Sequence, residues 1–413
     1  MTKNFFKWLY PRMGIKRWLF VALLGVIVVG FGAVMSAHIY RFVNVLGFVW
    51  ILCGIVLIVM GMSKVIVSLL TLFLPQGEQD LINILYQRRY LERGPKIVIL
   101  GGGHGLSNLI FGLKEYTSNI TAVVTVADSG GSSGRLREEF NIVAPGDIRN
   151  CLVALADAPK LMGDLFQYRF APDSQLQGHN FGNLFLTAMY HVTDEDFERA
   201  VNETSKVLAI RGKVVPATTS NVHLIAEYRD GTKTKGEAKI PDSKKGIRRL
   251  SLTDVNAKPT QAALDAIQAA DVIVLGPGSL YTSVIPNLII YGMSEAIERS
   301  SAFKVYVCNV MTQPGESDGY TAWDHLKAII DHAGPQVVDA CLLNNAPVPL
   351  EALQRYQEQG QFPVAVDAEK IREKGYAVFQ ADLIGVADYV RHDSQKLNKT
   401  LIRLIEMHRV IKR

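Results

Sequence analysis

The chain is poor in cysteine: among 413 residues only Cys53, Cys151, Cys308 and Cys341 occur, with no C-x-x-C pair. That excludes a disulfide framework, and the absence of histidines at finger spacing excludes a structural zinc site. The thiols are expected as buried, hydrophobe-like residues of a reducing compartment. H-E-x-x-H, G-x-S-x-G and a Walker A lysine are also missing, which removes zinc-protease, α/β-hydrolase and P-loop NTPase readings. No internal repeat or low-complexity tract interrupts the chain. Charge of one sign is missing from most of it as well. The formal charge is +5, but Lys3, Lys7, Arg12, Lys16 and Arg17 account for all of it, leaving 39 basic and 39 acidic residues beyond. A phosphate-backbone binder needs a basic surface on its folded part, so no nucleic-acid partner is expected.

Apolar length is what the sequence has. Hydrophobic residues make up 48% and charged residues 20%, with mean hydropathy +0.14. Leu19 to Ala37 is a run of 19 residues without charge, and Val43 to Met62 a further 20. Each is long enough to cross a hydrocarbon core of about 30 Å as a helix rising about 1.5 Å per residue. Five basic residues precede the first run, only Arg41 lies between the two, and Lys64, Arg88, Arg89, Arg93 and Lys96 follow the second. The positive-inside rule therefore places both ends in the cytoplasm. The expected protein is multi-pass, with two spans at 19–37 and 43–62 and a soluble cytoplasmic domain. Val65 to Leu74 is again apolar, and either extends the second helix past Lys64 or lies in the interface.

The length suggests two or three units. The expected division is an anchor over 1–75, a polar linker over 76–94, an α/β domain over 95–393 and an amphipathic helix over 394–413. Short β-branched runs alternate with helical stretches: Lys96–Leu100, Thr121–Val126, Asp271–Leu275, Phe303–Val307 and Val337–Leu343. Apolar runs of this length suit strands of a mostly parallel sheet buried on both faces, which predicts a doubly wound, Rossmann-like α/β fold. In the last segment Leu397, Leu401, Leu404, Ile405, His408 and Ile411 share one helical face, with Asp393 or Ser394 placed to cap it. That helix docks on the body or lies along the membrane surface.

Four loops of small residues follow the strands. The first is Gly101-Gly102-Gly103-His104-Gly105, which runs from a strand into a helical pattern and aims backbone N–H groups at an anion. It meets G-x-G-x-x-G only in part, because Leu106 stands at the third glycine. The others are Ala127 to Arg137 (with Asp128, Gly130, Gly131, Ser132 and Arg135), Gly276-Pro277-Gly278-Ser279, and Asn309 to Glu316 (with Thr312). In a parallel sheet all four open at the carboxyl edge, where a phosphorylated ligand binds. Between them lie Pro145 to Cys151, holding Asp147, Arg149 and Asn150, and Gly178 to Leu184, holding His179 and Asn183. Arg149 is a fork for phosphate or carboxylate, and Asp128 and Asp147 are candidate ligands of a Mg²⁺ ion bridged to a diphosphate. Asp147 otherwise reads as the N-cap of a helix over 148–156, and His179 as a satisfied structural histidine.

These blocks, above all Gly276–Pro286 and Asn309–Gly319, with His392-Asp393, resemble the YvcK/CofD-like family in order over roughly residues 95–400. The family includes gluconeogenesis factors and 2-phospho-L-lactate transferase. The resemblance, closest to the YvcK-like branch, implies binding of a UDP-N-acetylglucosamine-like nucleotide sugar and links to carbon metabolism, cell shape and wall synthesis. The transferase branch instead implies an enzyme that moves a phospholactyl group from a nucleoside diphosphate, with Asp128, Asp147 and Arg149 as the candidate catalytic residues. Two residues depart from the family pattern: His104 replaces a threonine, and Ser129 replaces an acidic or amide residue that would strengthen a metal site. A regulatory or wall-synthesis protein partner and a homo-oligomer are further expectations.

Overall fold

The computed structural model describes residues 15–37, 40–73, 90–158, 160–386 and 390–411. The chain divides into two compact units, Met1–Arg89 and Tyr90–Arg413. Most of the linker expected at 76–94 lies outside the described residues, as do His38 and Ile39 between the two apolar runs.

In the first unit α1 (Ile15–Ser36) packs against α2 (Arg41–Phe73). Arg17–Ser36 and Phe42–Ser68 are each long and apolar enough to cross a membrane. The apolar segment after Lys64 continues α2 as far as Phe73. Both helices are apolar all round, with Phe20 66% and Leu52 69% exposed, a pattern that suits lipid rather than water. Glycines at seven-residue spacing on α2 (Gly47, Gly54, Gly61) bring the backbones together. A Cβ on Gly54 would stand 2.7 Å from the Gly25 carbonyl oxygen, and one on Gly61 2.8 Å from that of Trp18. Where lipid tails are as apolar as leucine, this close van der Waals approach is what holds two helices together.

The second unit is built on a seven-stranded sheet. Its strands are β1 (Ile97–Gly101), β2 (Ile120–Val124), β3 (Lys213–Pro216), β7 (Val272–Leu275), β8 (Phe303–Val307), β9 (Ala340–Asn344) and β10 (Ala377–Ala381). They lie in the order β10-β9-β8-β7-β1-β2-β3, every pairing parallel. Side chains alternate between two cores: Ile97 and Ile99 enter one, Val98 and Leu100 the other, and all four are buried. Helices cover both faces, so the fold is α/β, doubly wound and Rossmann-like. The chain steps outward from β1 through β2 to β3 and then returns to β7 on the other side of β1. That reversal opens a crevice between the loops after β1 and β7. A small antiparallel sheet of β4 (Leu224–Tyr228), β5 (Lys233–Lys235) and β6 (Ile247–Leu252) is inserted between β3 and β7. A hairpin of β11 (Ile384–Val386) and β12 (Val390–His392) follows β10.

One expected strand begins late. Over Val337–Leu343 the residues Pro335–Val337 form a 3₁₀ turn, and β9 starts at Ala340. The terminal helix Ser394–Ile411 buries Leu397, Leu401, Leu404 and Ile405 in the core that holds Ile97 and Leu109. His408 stacks on Phe303 at 4.0 Å, and the Asp393 carboxylate accepts the Lys396 N–H at 2.9 Å to cap the helix. That face is committed to the body, not to a bilayer surface.

Candidate functional site

The crevice is a cavity of about 460 Å³ lined from the carboxyl ends of β1, β2, β7 and β8 and from β12. The helix Gly103–Leu113 opens into it with Gly102 as N-cap and no capping side chain. N–H groups in a first helical turn lack intrahelical partners, and the helix dipole makes that end positive. One of them, from Gly103, donates to the Asp147 carboxylate. The approach is close enough to require glycine at 102. A Cβ there would lie 2.6 Å from Asp147 Oδ2 and 2.5 Å from Thr125 Cγ2. Gly103 follows at φ +65°, where a side chain is strained.

Asp147 is not the N-cap of its helix. The helix Gly146–Leu155 starts one residue earlier, with Pro145 at the cap, and Asp147 sits within the first turn. Its carboxylate leaves the helix for the crevice. Burial and then the neighbouring Asp128 push it up to about 6. Asp128 lines the same wall and accepts the Gly130 N–H at 2.8 Å, which shapes the turn after β2.

Of the residues expected at the ligand, Gly102, Gly103, His104, Gly105, Asp128, Asp147, Gly278, Ser279 and Asn309 line the crevice. Gly101 and Gly276 stand behind it, tying the loops to the sheet. The Gly101 carbonyl accepts from Asn287 Nδ2 at 3.2 Å, and the Gly276 N–H donates to Leu100 at 2.9 Å. Gly130 and Gly131 start the helix Gly131–Phe140. Ser132 turns inward, its hydroxyl accepting from the Asn180 N–H and Asn183 Nδ2, both at 3.2 Å, and meeting His179 Nδ1 at 3.3 Å. His179 is thus a satisfied structural histidine. Arg149 is buried behind the wall, where it donates to Asn183 Oδ1 at 3.1 Å and Asn150 Oδ1 at 2.6 Å. Burial and Arg169 bring its pKa down to about 10. It lies outside the lining, and so is a positioning group whose field reaches His104 rather than a contact to ligand. Arg135 faces outward to the Gln177 carbonyl at 2.7 Å. Thr312 is spent on the backbone of Phe362, donating its N–H at 2.7 Å and accepting at Oγ1 at 3.0 Å.

Sequence reasoning missed Glu237, Gln313 and Arg391, which also line the crevice. Glu237 opens a 3₁₀ turn of the small-sheet insertion. Ser129, the departure in the second loop, accepts the Ala238 N–H at 3.1 Å and so anchors that turn beside Asp128. A carboxylate absent from the loop is thereby supplied from elsewhere. Burial and then Asp128 push Glu237 up to about 7. Glu316, buried nearby, is raised to about 7 by burial and then by Glu237. His104 is held below its ordinary value by burial, then Arg391 and Arg149, so it is neutral at pH 7. Only polar residues in a lysine-rich stretch surround Glu237 in the sequence, and no local motif marks it.

Among the described residues no three His, Cys, Asp or Glu side chains close around one point. Asp128 and Asp147 alone would hold a cation, and their hard oxygens fit Mg²⁺ when the remaining positions come from phosphate and water.

Comparison with known proteins agrees with this architecture. A protein of Nostoc sp., described as "Putative gluconeogenesis factor", is 45% identical over 424 aligned residues, covering 97% of this chain and 93% of its own. The gluconeogenesis factor of Bacillus subtilis is 47% identical, over 76% of this chain and 98% of its own. The crystal structure of a UPF0052-family protein of Bacillus halodurans superposes with a TM-score of 0.73 at 47% identity, over 75% of this chain and 99% of that one. The model of the family described as 2-phospho-L-lactate transferase CofD matches residues 97–384, from the start of β1 to the start of β11, and the chain belongs to that family.

Proposed function

We propose that the chain is a gluconeogenesis factor tethered to a membrane by its hairpin, whose cytoplasmic body binds a nucleotide sugar of the UDP-N-acetylglucosamine kind. Its role is to relay the level of that ligand to carbon metabolism, cell shape and wall synthesis. One observation carries this reading. An uncapped helix N-terminus and a pair of carboxylates face the same cavity of about 460 Å³. The helix end favours an anion, whereas Asp128 and Asp147 repel one. A diphosphate carrying a divalent cation satisfies both walls at once. Bound there, Mg²⁺ would neutralise phosphate charge. Backbone N–H groups of the first loop hold the phosphate oxygens, and Ser279 and Asn309 orient the rest.

A second reading is an enzyme of the 2-phospho-L-lactate transferase type. It is favoured by Asp147 at about 6 and Glu237 at about 7, both able to exchange protons near neutrality.

A thermal-shift screen of the protein against nucleotide sugars and nucleoside diphosphates, with and without Mg²⁺, tests the binding. A ligand at 100 times Kd raises stability by about 2.7 kcal/mol. A shift confined to diphosphates with Mg²⁺ supports the proposal. The absence of any shift across the panel contradicts it.

A further inference from the structure

The insertion that delivers Glu237 has a second face. Residues 227–252 contain eight Lys and Arg against four Asp and Glu, a net +4 in a chain that is neutral beyond residue 17. All eight basic residues are exposed. The register shows how this arises. Lys233 pairs with Glu227 and Glu227 with Arg249, while Lys235 pairs with Ile225. Directly paired residues share a face, so Lys233, Lys235 and Arg249 stand on the outer side of the small sheet. Leu224, Ala226, Tyr228, Leu250 and Leu252 bury the inner side in the body core. Glu227 is taken up by Lys233 at 3.7 Å and Arg248 at 3.5 Å, and Asp230 by Lys245 at 2.6 Å. No carboxylate lies at ion-pair distance from Lys235, Lys239, Lys244 or Arg249 among the described residues.

We propose that this face docks on the anionic phospholipid headgroups of the membrane that holds the hairpin. The inference rests on the hairpin reading. Sixteen residues separate Phe73 from Tyr90, a reach of at most about 55 Å at ~3.4 Å per residue. A body so tethered meets the bilayer at high effective concentration, and the positive-inside rule turns it toward the leaflet that carries anionic lipid. A twisted sheet with long, mobile lysines suits a fluid layer of like charges, and attraction acts within a Debye length of roughly 8 Å at physiological salt. The same insertion reaches the crevice through Glu237, so the docking face and the ligand cavity share one element.

The test uses the full-length protein in nanodiscs of phosphatidylcholine alone or with one-quarter phosphatidylglycerol. A water-soluble acetylating reagent reports lysine access by mass spectrometry. With phosphatidylglycerol, Lys235, Lys239 and Lys244 should react several-fold more slowly at 0.15 M salt, regain their rate at 1 M, and leave Lys370 unchanged. Lys233→Gln/Lys235→Gln/Arg249→Gln, all exposed and neutralised without reversal, should remove the protection of Lys239 and Lys244 while the melt of the body is retained. Equal rates in the two bilayers overturn the proposal. So does protection by a single-stranded oligonucleotide that exceeds protection by lipid, which would mark a nucleic-acid surface. Failure of the protein to stay in neutral nanodiscs is a separate result, and refutes the hairpin tether itself.

Discussion

Glycine does opposite work in the two units. In the hairpin, Gly47, Gly54 and Gly61 lie inside the contact, and large apolar side chains such as Phe20 and Leu52 point outward. In the body, apolar side chains fill two cores, and glycines such as Gly102 and Gly103 stand at the rim of a polar cavity. The solvent explains the inversion. Water drives apolar groups inward and leaves the loops to meet ligands, whereas in lipid no such force exists and backbone-to-backbone contact takes its place. The units also part company among relatives. The Nostoc protein matches 97% of the chain, while the Bacillus subtilis protein matches 76% and is itself nearly fully covered. The body is thus a complete molecule in some relatives, and the hairpin an addition that sets location.

The largest test of that separation is removal of residues 1–89. Membrane association should vanish, measured as the carbonate-resistant fraction, while the body keeps a cooperative melt and its ligand response. Aggregation of the truncated protein without detergent would break the comparison. Next in size is Gly102→Val, whose side chain meets Asp147 and Thr125. Two charge-assisted contacts at about 1.5–3 kcal/mol each imply a loss of roughly 100-fold or more in affinity, with the hairpin unaffected. Leu401→Ala, in the terminal helix, should destabilise the body by about 2–5 kcal/mol in denaturant melts and leave membrane partition unchanged.

A smaller effect comes from pH, and its sign differs for stability and for binding. Asp147 and Glu237 hold protons more tightly folded than unfolded, with folded values of about 6 and about 7. Their contribution to stability is therefore full below about pH 4 and is lost as pH rises through 6 to 7. Cation-assisted binding needs the carboxylates ionised, so affinity should climb between about pH 5.5 and 7.5. Glu237→Gln should flatten the upper part of that climb in calorimetric titrations. An unchanged slope would remove Glu237 from the site. The smallest change expected is Gly54→Ala, which separates α1 and α2 at a cost on the order of 1 kcal/mol and leaves the cavity unaltered.

How far the sequence foretells these features follows from how local each one is. The strand Phe303–Val307 is legible to the residue because a buried central strand is an unbroken apolar run. β10 is not, since it is an edge strand with half-exposed residues, and β3 is only four residues long and ends in Pro216. Gly102 to Gly105 and the two aspartates announce a phosphate cradle by adjacency to strands. Ser132 and Thr312 look identical to ligand hydroxyls in sequence, yet they are consumed inside the fold. Glu237 reaches the crevice only through the tertiary path of the small sheet. The basic face escapes notice for another reason: its charge is cancelled by acids elsewhere in the chain.

The central claim is that the crevice binds a diphosphate with its cation and leaves it intact. Isothermal titration of the full-length protein with UDP-N-acetylglucosamine, with and without Mg²⁺, followed by chromatography of the nucleotide after long incubation, measures it most directly. The account predicts one site per chain, affinity enhanced by Mg²⁺ and abolished in Gly102→Val, and unaltered nucleotide at the end. Absence of binding, or Mg²⁺-dependent consumption of the nucleotide that Asp147→Asn abolishes, would contradict it.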